Sequence, residues 1–224
     1  MDNTILYKKE TVYKKAKNTS DAFAYAEGYK KFLDSAKTER EAVKTAIAML
    51  SSNGFKEYKL GDKIAIGDRL YYNNRGKNLF AFAIGSNIAE DGIRITASHV
   101  DAPRIDLKQC PLYEDGGMAY FKTHYYGGIR KYQWVATPLA LHGVVVKQDG
   151  TVIDVCIGED EADPIFYISD LLPHLGREQA KQPLSEAIKG VQLNVLIGNI
   201  PEDEDNSVKN AVMTLINEKY GITE

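Results

Sequence analysis

The run Thr96-Ala97-Ser98-His99-Val100-Asp101-Ala102-Pro103-Arg104-Ile105-Asp106 sets a histidine and a carboxylate two residues apart. A neutral imidazole is a good zinc ligand, and a nearby carboxylate accepts its other ring N–H, fixing the tautomer and raising ligand basicity. This spacing therefore offers one corner of a metal site. Taken alone, His-x-Asp equally describes a surface hydrogen-bonded pair at a strand end, because zinc needs at least three protein ligands. Three further histidines follow. His124 stands in a Tyr-, Gly- and Lys-rich stretch that reads as a loop. His142 lies in an apolar strand, where a satisfied core or interface histidine is commoner than a ligand, and His174, after Leu-Leu-Pro, caps or packs a turn. No His-x-x-x-His or Cys-x-x-Cys pair accompanies them, and Cys110 and Cys156 read as passive thiols of a reducing compartment.

The elements that must carry these residues change character once along the chain. From Asp21 to about Ser52 the pattern is helical, with Thr38-Glu39-Arg40-Glu41 as a capping box ahead of Val43, Ile47 and Leu50, and Gly54 as the stop. Leu79–Ile84 and Ile93–Ala97 are short runs, apolar on nearly both faces, as in strands of a covered sheet; His99 would lie just beyond the second. Past Asp106, Leu139–Lys147 and Thr151–Ile157 flank Asp149-Gly150, a strong hairpin signal, and Val191–Ile197 supplies another strand. Residues 163–174 read as a loop with short helical turns, and Asn206–Tyr220 as an amphipathic helix ending at Gly221. The acidic run Glu202–Asp205 is a solvated loop that favours the positive end of that helix. Tyr125-Tyr126-Gly127-Gly128 reads as a structural turn, and Arg130, Lys131 and Trp134 as either a subunit contact or, for Trp134, core.

Composition narrows the classes. The chain has 224 residues, 44% of them hydrophobic, and a formal charge of -3, an ordinary globular balance with room for one large or two small domains. Lys8, Lys9, Lys14, Lys15 and Lys17 alternate with aromatic and acidic residues, which suits a solvated helix face rather than nucleic acid. The N-terminal ten residues lack a long apolar core, so neither a secretory signal nor a membrane span is expected there; cytoplasm is the default, and the Asn18-Thr19-Ser20 sequon is discounted.

Three blocks, Ser98–Lys108, then Lys122-Thr-His-Tyr-Tyr-Gly-Gly-Ile-Arg-Lys-Tyr-Gln-Trp134, then Pro138-Leu-Ala-Leu-His-Gly143, resemble the M18 metallo-aminopeptidases, the aspartyl aminopeptidase family. The resemblance runs through nearly the whole chain. It implies an α/β fold: a segment of a zinc-peptidase domain (residues 1–110) followed by an inserted β-rich association domain (residues 111–224). It implies His99 as a metal ligand of a two-zinc centre and Asp101 as the catalytic-site carboxylate supporting that ligand. A peptide substrate and a homo-oligomer follow from the same likeness. Family members are about twice this length, with the other ligands and the general-base glutamate beyond the inserted domain, so the chain reads as an N-terminal half. The implied activity is metal-assisted hydrolysis of N-terminal residues, acidic ones included, with this chain inactive by itself. The alternative is an inactive assembly module that pairs with a separate C-terminal half.

Overall fold

A computed structural model describes residues 7, 9–16, 19–201 and 207–223. The expectations for Lys8, Lys17, Asn18, Glu202–Asp205 and Asn206 lie outside the described residues. The architecture is mixed α/β with small sheets, and the chain divides into two compact units, Met1–Asp101 and Ala102–Glu224. The boundary expected at residues 110/111 falls inside the strand Arg104–Asp115.

The first unit begins with helices α1 (Val12–Lys15), α2 (Ser20–Asp34) and α3 (Glu39–Ser52). The capping box forms as its spacing predicts: the Glu41 N–H donates to Thr38 Oγ1 at 3.3 Å, and Glu41 Oε2 accepts from the Thr38 N–H at 2.9 Å. Two otherwise unsatisfied helix-start donors are thereby paired. Strand β1 (Lys56–Glu57) pairs in parallel with β2 (Arg69–Asn74), which pairs antiparallel with β3 (Asn78–Ala83), close to the expected Leu79–Ile84. Arg75 and Gly76, both at positive φ, make the tight turn between β2 and β3. Among the described residues of this unit, Ala42 and Val43 of α3 are the buried hydrophobic side chains.

The expected strand Ile93–Ala97 is not formed. After the short helix α4 (Ile88–Asp91), residues 93–103 have no regular structure. Ile93 and Ile95 are 74% and 82% exposed. A strand apolar on both faces is stabilised by sheet neighbours and covering layers rather than by its own sequence; among the described residues none pairs with this run.

The second unit opens with β4 (Arg104–Asp115) and β5 (Met118–Tyr126), a long antiparallel hairpin closed by Gly116 and Gly117, both at positive φ. Sequence patterning misses it for a physical reason. On β5 the inward positions are Ala119, Phe121 and Thr123, while large aromatic residues, Tyr120 and Tyr126, occupy outward ones, so the usual apolar alternation is hidden. On β4 a bulge between Leu107 and Leu112, with Cys110 at φ 46°, interrupts the period. The Asp115-Gly116-Gly117 turn is the signal that announces this hairpin.

After a 3-10 turn at Lys131–Gln133, β6 (Leu141–Val146) and β7 (Val152–Ile157) form the expected hairpin. Asp149 accepts the Thr151 N–H at 2.9 Å, which holds the Asp149 carboxyl below the usual carboxylate range. Strand β8 (Val195–Gly198) adds to β5; the expected start at Val191 is displaced because Gly190–Gln192 is a 3-10 turn. Helix α5 (Val208–Tyr220) begins at Ser207, whose hydroxyl accepts the Asn210 N–H, and ends at Gly221 in the left-handed conformation. The core gathers Phe121, Val155, Ile157, Phe166, Ile168, Ile188, Leu193 and Val195, and Trp134 packs against it, which favours the core reading of that side chain. Tyr220 pins α5 to β7: its hydroxyl donates to the Cys156 carbonyl at 2.7 Å and accepts the Cys156 N–H at 3.3 Å.

Candidate functional site

His99 and Asp101 stand at the end of the first unit on the irregular segment 93–103. His99 Nδ1 lies 2.7 Å from the Asp101 carbonyl oxygen and 3.2 Å from Asp101 Oδ1. Both neighbours are acceptors, so Nδ1 carries the proton and donates to them. The lone pair then resides on Nε2, and the His99 side chain is 81% exposed. This is the arrangement a histidine ligand needs: one ring nitrogen oriented by a carboxylate and a carbonyl, the other open to a metal. The two residues therefore fit a first zinc ligand and its orienting partner. They do not make a complete site, because no group of three or more His, Cys, Asp or Glu side chains suited to a metal ion occurs among the described residues.

The other histidines serve elsewhere. His142 on β6 is nearly enclosed, at 12% side-chain exposure, and its Nε2 lies 2.9 Å from Glu159 Oε1, which makes it the satisfied histidine its apolar strand suggests. His124 lies on β5 rather than in a loop; its Nδ1 lies 3.2 Å from the Tyr125 carbonyl, and the strand setting was hidden by the same aromatic outward positions. His174 is exposed in the turn Leu172–Gly176, closed by the Leu175 and Gly176 N–H groups on the Leu172 carbonyl. Neither Cys110 nor Cys156 forms a disulfide.

Sequence reasoning passed over the cationic and aromatic residues that begin the second unit. Arg104 Nε donates to Asp106 Oδ1 at 2.7 Å, and its guanidinium sits 4.2 Å from the centroid of the Tyr126 ring. The paired glycines after Tyr126 are a structural turn, as expected. Gly127 has φ 78°, a left-handed conformation that favours glycine, while a Cβ there would meet Pro103 Cα at 3.6 Å, an ordinary contact, so the backbone and not crowding calls for glycine. An open cleft of about 670 Å³ is lined by Val145–Asp149 and Gly221–Thr223; it gathers neither histidine nor cysteine. No helix among the described residues is long and apolar enough to cross a membrane.

The family described as aminopeptidase I zinc metalloprotease (M18) matches residues 32–224. A probable M18 family aminopeptidase 1 of Clostridium acetobutylicum is 46% identical over 215 residues, covering 93% of this chain and 46% of that protein. The crystal structure of an M18 aminopeptidase from Thermotoga maritima superposes with a TM-score of 0.87 at 39% identity, over 97% of this chain and 48% of that one. The mApe1 dodecamer of S. cerevisiae shares the fold at 20% identity, with a TM-score of 0.63 over 89% of this chain and 45% of that one. The chain spans about half the length of the curated relatives it matches.

Proposed function

The chain belongs to the M18 family of zinc metallopeptidases, and from that premise we propose that it supplies the first metal ligand, His99, and its orienting carboxylate, Asp101, to a zinc-dependent aminopeptidase. The observation that carries this reading is the paired contact of His99 Nδ1 with the carbonyl and the carboxylate of Asp101, which leaves Nε2 as the coordinating atom. Bound zinc supplies Lewis acidity towards a peptide carbonyl and a nucleophile at neutral pH. Asp101 holds the ring in one tautomer and orientation, so that Nε2 presents its lone pair without rearrangement. The substrates are peptides whose N-terminal residues, acidic ones included, are released in the cytoplasm. Two metals share the completed centre.

One ligand does not close a zinc site, so the reading requires the remaining ligands and the general base from a complementary C-terminal half. The burial pattern of the first unit supports a partner of that kind. Phe80 and Phe82 on β3, an edge strand of its sheet, are 48% and 40% exposed, and Ile93 and Ile95 are exposed as well. Large apolar side chains left exposed on an edge strand suit an association surface. The second unit, with its own core and three-stranded sheet, acts as the association domain of a homo-oligomer, in keeping with the dodecamer formed by the S. cerevisiae protein. The alternative, an inactive assembly module that pairs with a separate half, shares this architecture and differs only in whether the completed centre turns over.

The test is reconstitution. The chain is mixed with a polypeptide covering the rest of the family's length, and zinc content and aminoacyl-nitroanilide hydrolysis are measured. The chain alone is expected to be inactive, the mixture active, and the His99→Ala mixture inactive. Asp101→Asn is expected to lower zinc affinity about 10- to 100-fold. Turnover by the chain alone at an enzymic rate would overturn the requirement for a second half, and a His99→Ala mixture with full zinc content would overturn the ligand assignment. A zinc-loaded mixture without turnover selects the assembly module.

A further inference from the structure

The β6–β7 hairpin brings together a thiol, an imidazole and a carboxylate outside the zinc site: Cys156, His142 and Glu159. His142 and Cys156 stand directly opposite each other in the register. Near the turn the Lys147 N–H donates to the Thr151 carbonyl at 2.8 Å, so Lys147 and Thr151 form a hydrogen-bonded pair. Such pairs alternate with non-hydrogen-bonded ones along an antiparallel ladder, and counting back from Lys147 puts His142 and Cys156 on a non-hydrogen-bonded pair. The Cys156 backbone agrees, because its N–H and carbonyl turn away from β6 to the Tyr220 hydroxyl. This is the type of pair whose side chains approach most closely, with Cα atoms about 4.5 Å apart. Both side chains stand on the face away from the core, since Val155 and Ile157, the neighbours of Cys156 on β7, are the buried ones.

The imidazole is oriented for proton transfer. His142 Nε2 lies 2.9 Å from Glu159 Oε1, a carboxylate oxygen that accepts, so Nε2 carries the ring proton and Nδ1 the lone pair. Glu159 also stabilises the imidazolium that forms when Nδ1 takes a second proton. The His142 side chain is sheltered, whereas Cys156 is exposed. A solvent-accessible thiol beside a histidine that can become cationic is the setting in which cysteine acts as a nucleophile. The other charges nearby are Asp154, on the same face of β7 and about 7 Å along the strand, and Lys219 at the end of α5, which is held by Asp163. Asp154 opposes a thiolate, but His142 is the nearer group, and the attraction between opposite charges grows as their separation shrinks. We propose that Cys156 is a modification site that captures a low-molecular-weight disulfide, with His142 as its base and Glu159 orienting that base. The Cys156 S–H proton passes to His142 Nδ1, and the thiolate attacks one sulfur of the disulfide. A new S–S bond forms as the old one breaks, and the departing thiolate takes the proton back from His142. Cys156 is thereby oxidised to a mixed disulfide, and the other half of the reagent leaves reduced, as a thiol.

The probe is dithiobis-nitrobenzoate, itself a disulfide, whose released thiolate is coloured. In the full chain, Cys110→Ser leaves Cys156 as the reporting thiol, and Cys156→Ser leaves Cys110, an exposed thiol in the β4 bulge where the register gives it no cross-strand partner among the described residues. Cys156 is expected to react about tenfold faster than Cys110 at about pH 6 and to level off at lower pH, because a larger thiolate fraction outweighs the lower nucleophilicity of a more acidic thiol. In the Cys110→Ser chain, His142→Gln is expected to bring the rate near pH 6 down to that of Cys110, and Glu159→Gln to lower it severalfold. Trp134 fluorescence reports whether each variant is folded; should His142→Gln fail to fold, Glu159→Gln, at a partly exposed side chain, and the pH profile of the unaltered pair decide the matter. Parallel pH profiles for the two cysteines overturn the proposal. An early plateau that survives both His142→Gln and Glu159→Gln overturns His142 as the base.

Discussion

Leu193→Ala probes the core that holds the second unit together. Leu193 is 0% exposed, lies between the Gly190–Gln192 turn and β8, and its carbonyl accepts the hydroxyl hydrogen of Thr123 on β5. Truncation to Ala removes three carbons from an enclosed site, and such changes cost about 2–5 kcal/mol depending on how far the surroundings collapse. Collapse is restricted here, because the backbone is tied to β5 on one side and closed by the 3-10 turn on the other, which places the expected cost at about 4 kcal/mol. For a unit of this size each kcal/mol lowers Tm by about 3–5 °C, so the midpoint should fall by roughly 12–20 °C. The fluorescence of Trp134, the one tryptophan of the chain, reports the transition, since that ring packs on the same core. Val191→Ala, two residues away and 75% exposed, is the control and should change stability by no more than about 0.5 kcal/mol. Equal midpoints for the two variants would refute the assignment of Leu193 to the core and the packing of the Gly190–Gln192 turn onto it.

Tyr220→Phe removes the hydroxyl that bridges both backbone groups of Cys156 and should cost about 1 kcal/mol, read as a lower urea midpoint with unchanged slope. Thr38→Ala breaks the capping box of α3 and should cost about 1 kcal/mol, seen as faster amide exchange in the first turn of that helix. The hydrogen bond from Lys219, with that from the Gly158 N–H, holds the Asp163 carboxyl below the usual carboxylate range, while Asp163 raises Lys219. The lowered Asp163 value means its stabilisation is complete above the ordinary carboxylate range and is lost as pH falls through the folded value; the raised Lys219 value means a matching loss only at strongly alkaline pH. Asp163→Asn should therefore flatten the acid limb of urea midpoint against pH, and an unchanged limb would place the acid sensitivity elsewhere.

Local signals carried well where the structure is itself local. The capping box at Thr38–Glu41, the Asp149-Gly150 hairpin turn and the Gly221 helix stop each depend on contacts within a few residues, and each forms where its spacing predicts. The His99–Asp101 pair was legible for the same reason, since the partner of the ring nitrogen lies two residues along the chain. His142 was readable as satisfied, but its partner Glu159 lies 17 residues away and follows from the β6–β7 register rather than from any motif.

By itself the sequence determined the family, the helices α2, α3 and α5 with the capping box of α3 and the Gly221 stop, the β6–β7 hairpin and the local pairing of His99 with Asp101, but not the short helix α4. Tertiary structure decided what depends on partners distant in sequence. It turned Ala119 and Thr123 inward and Tyr120 and Tyr126 outward on β5, against hydropathy, because the pairing with β4 and β8 sets which face meets the core. It seated Trp134 on that core and left Ile93–Ala97 without a ladder, although the run is apolar enough for a covered strand. The physical reason is common to all three: a strand's face, and whether it pairs at all, is settled by neighbours whose hydrogen bonds and side chains are not written in its own residues.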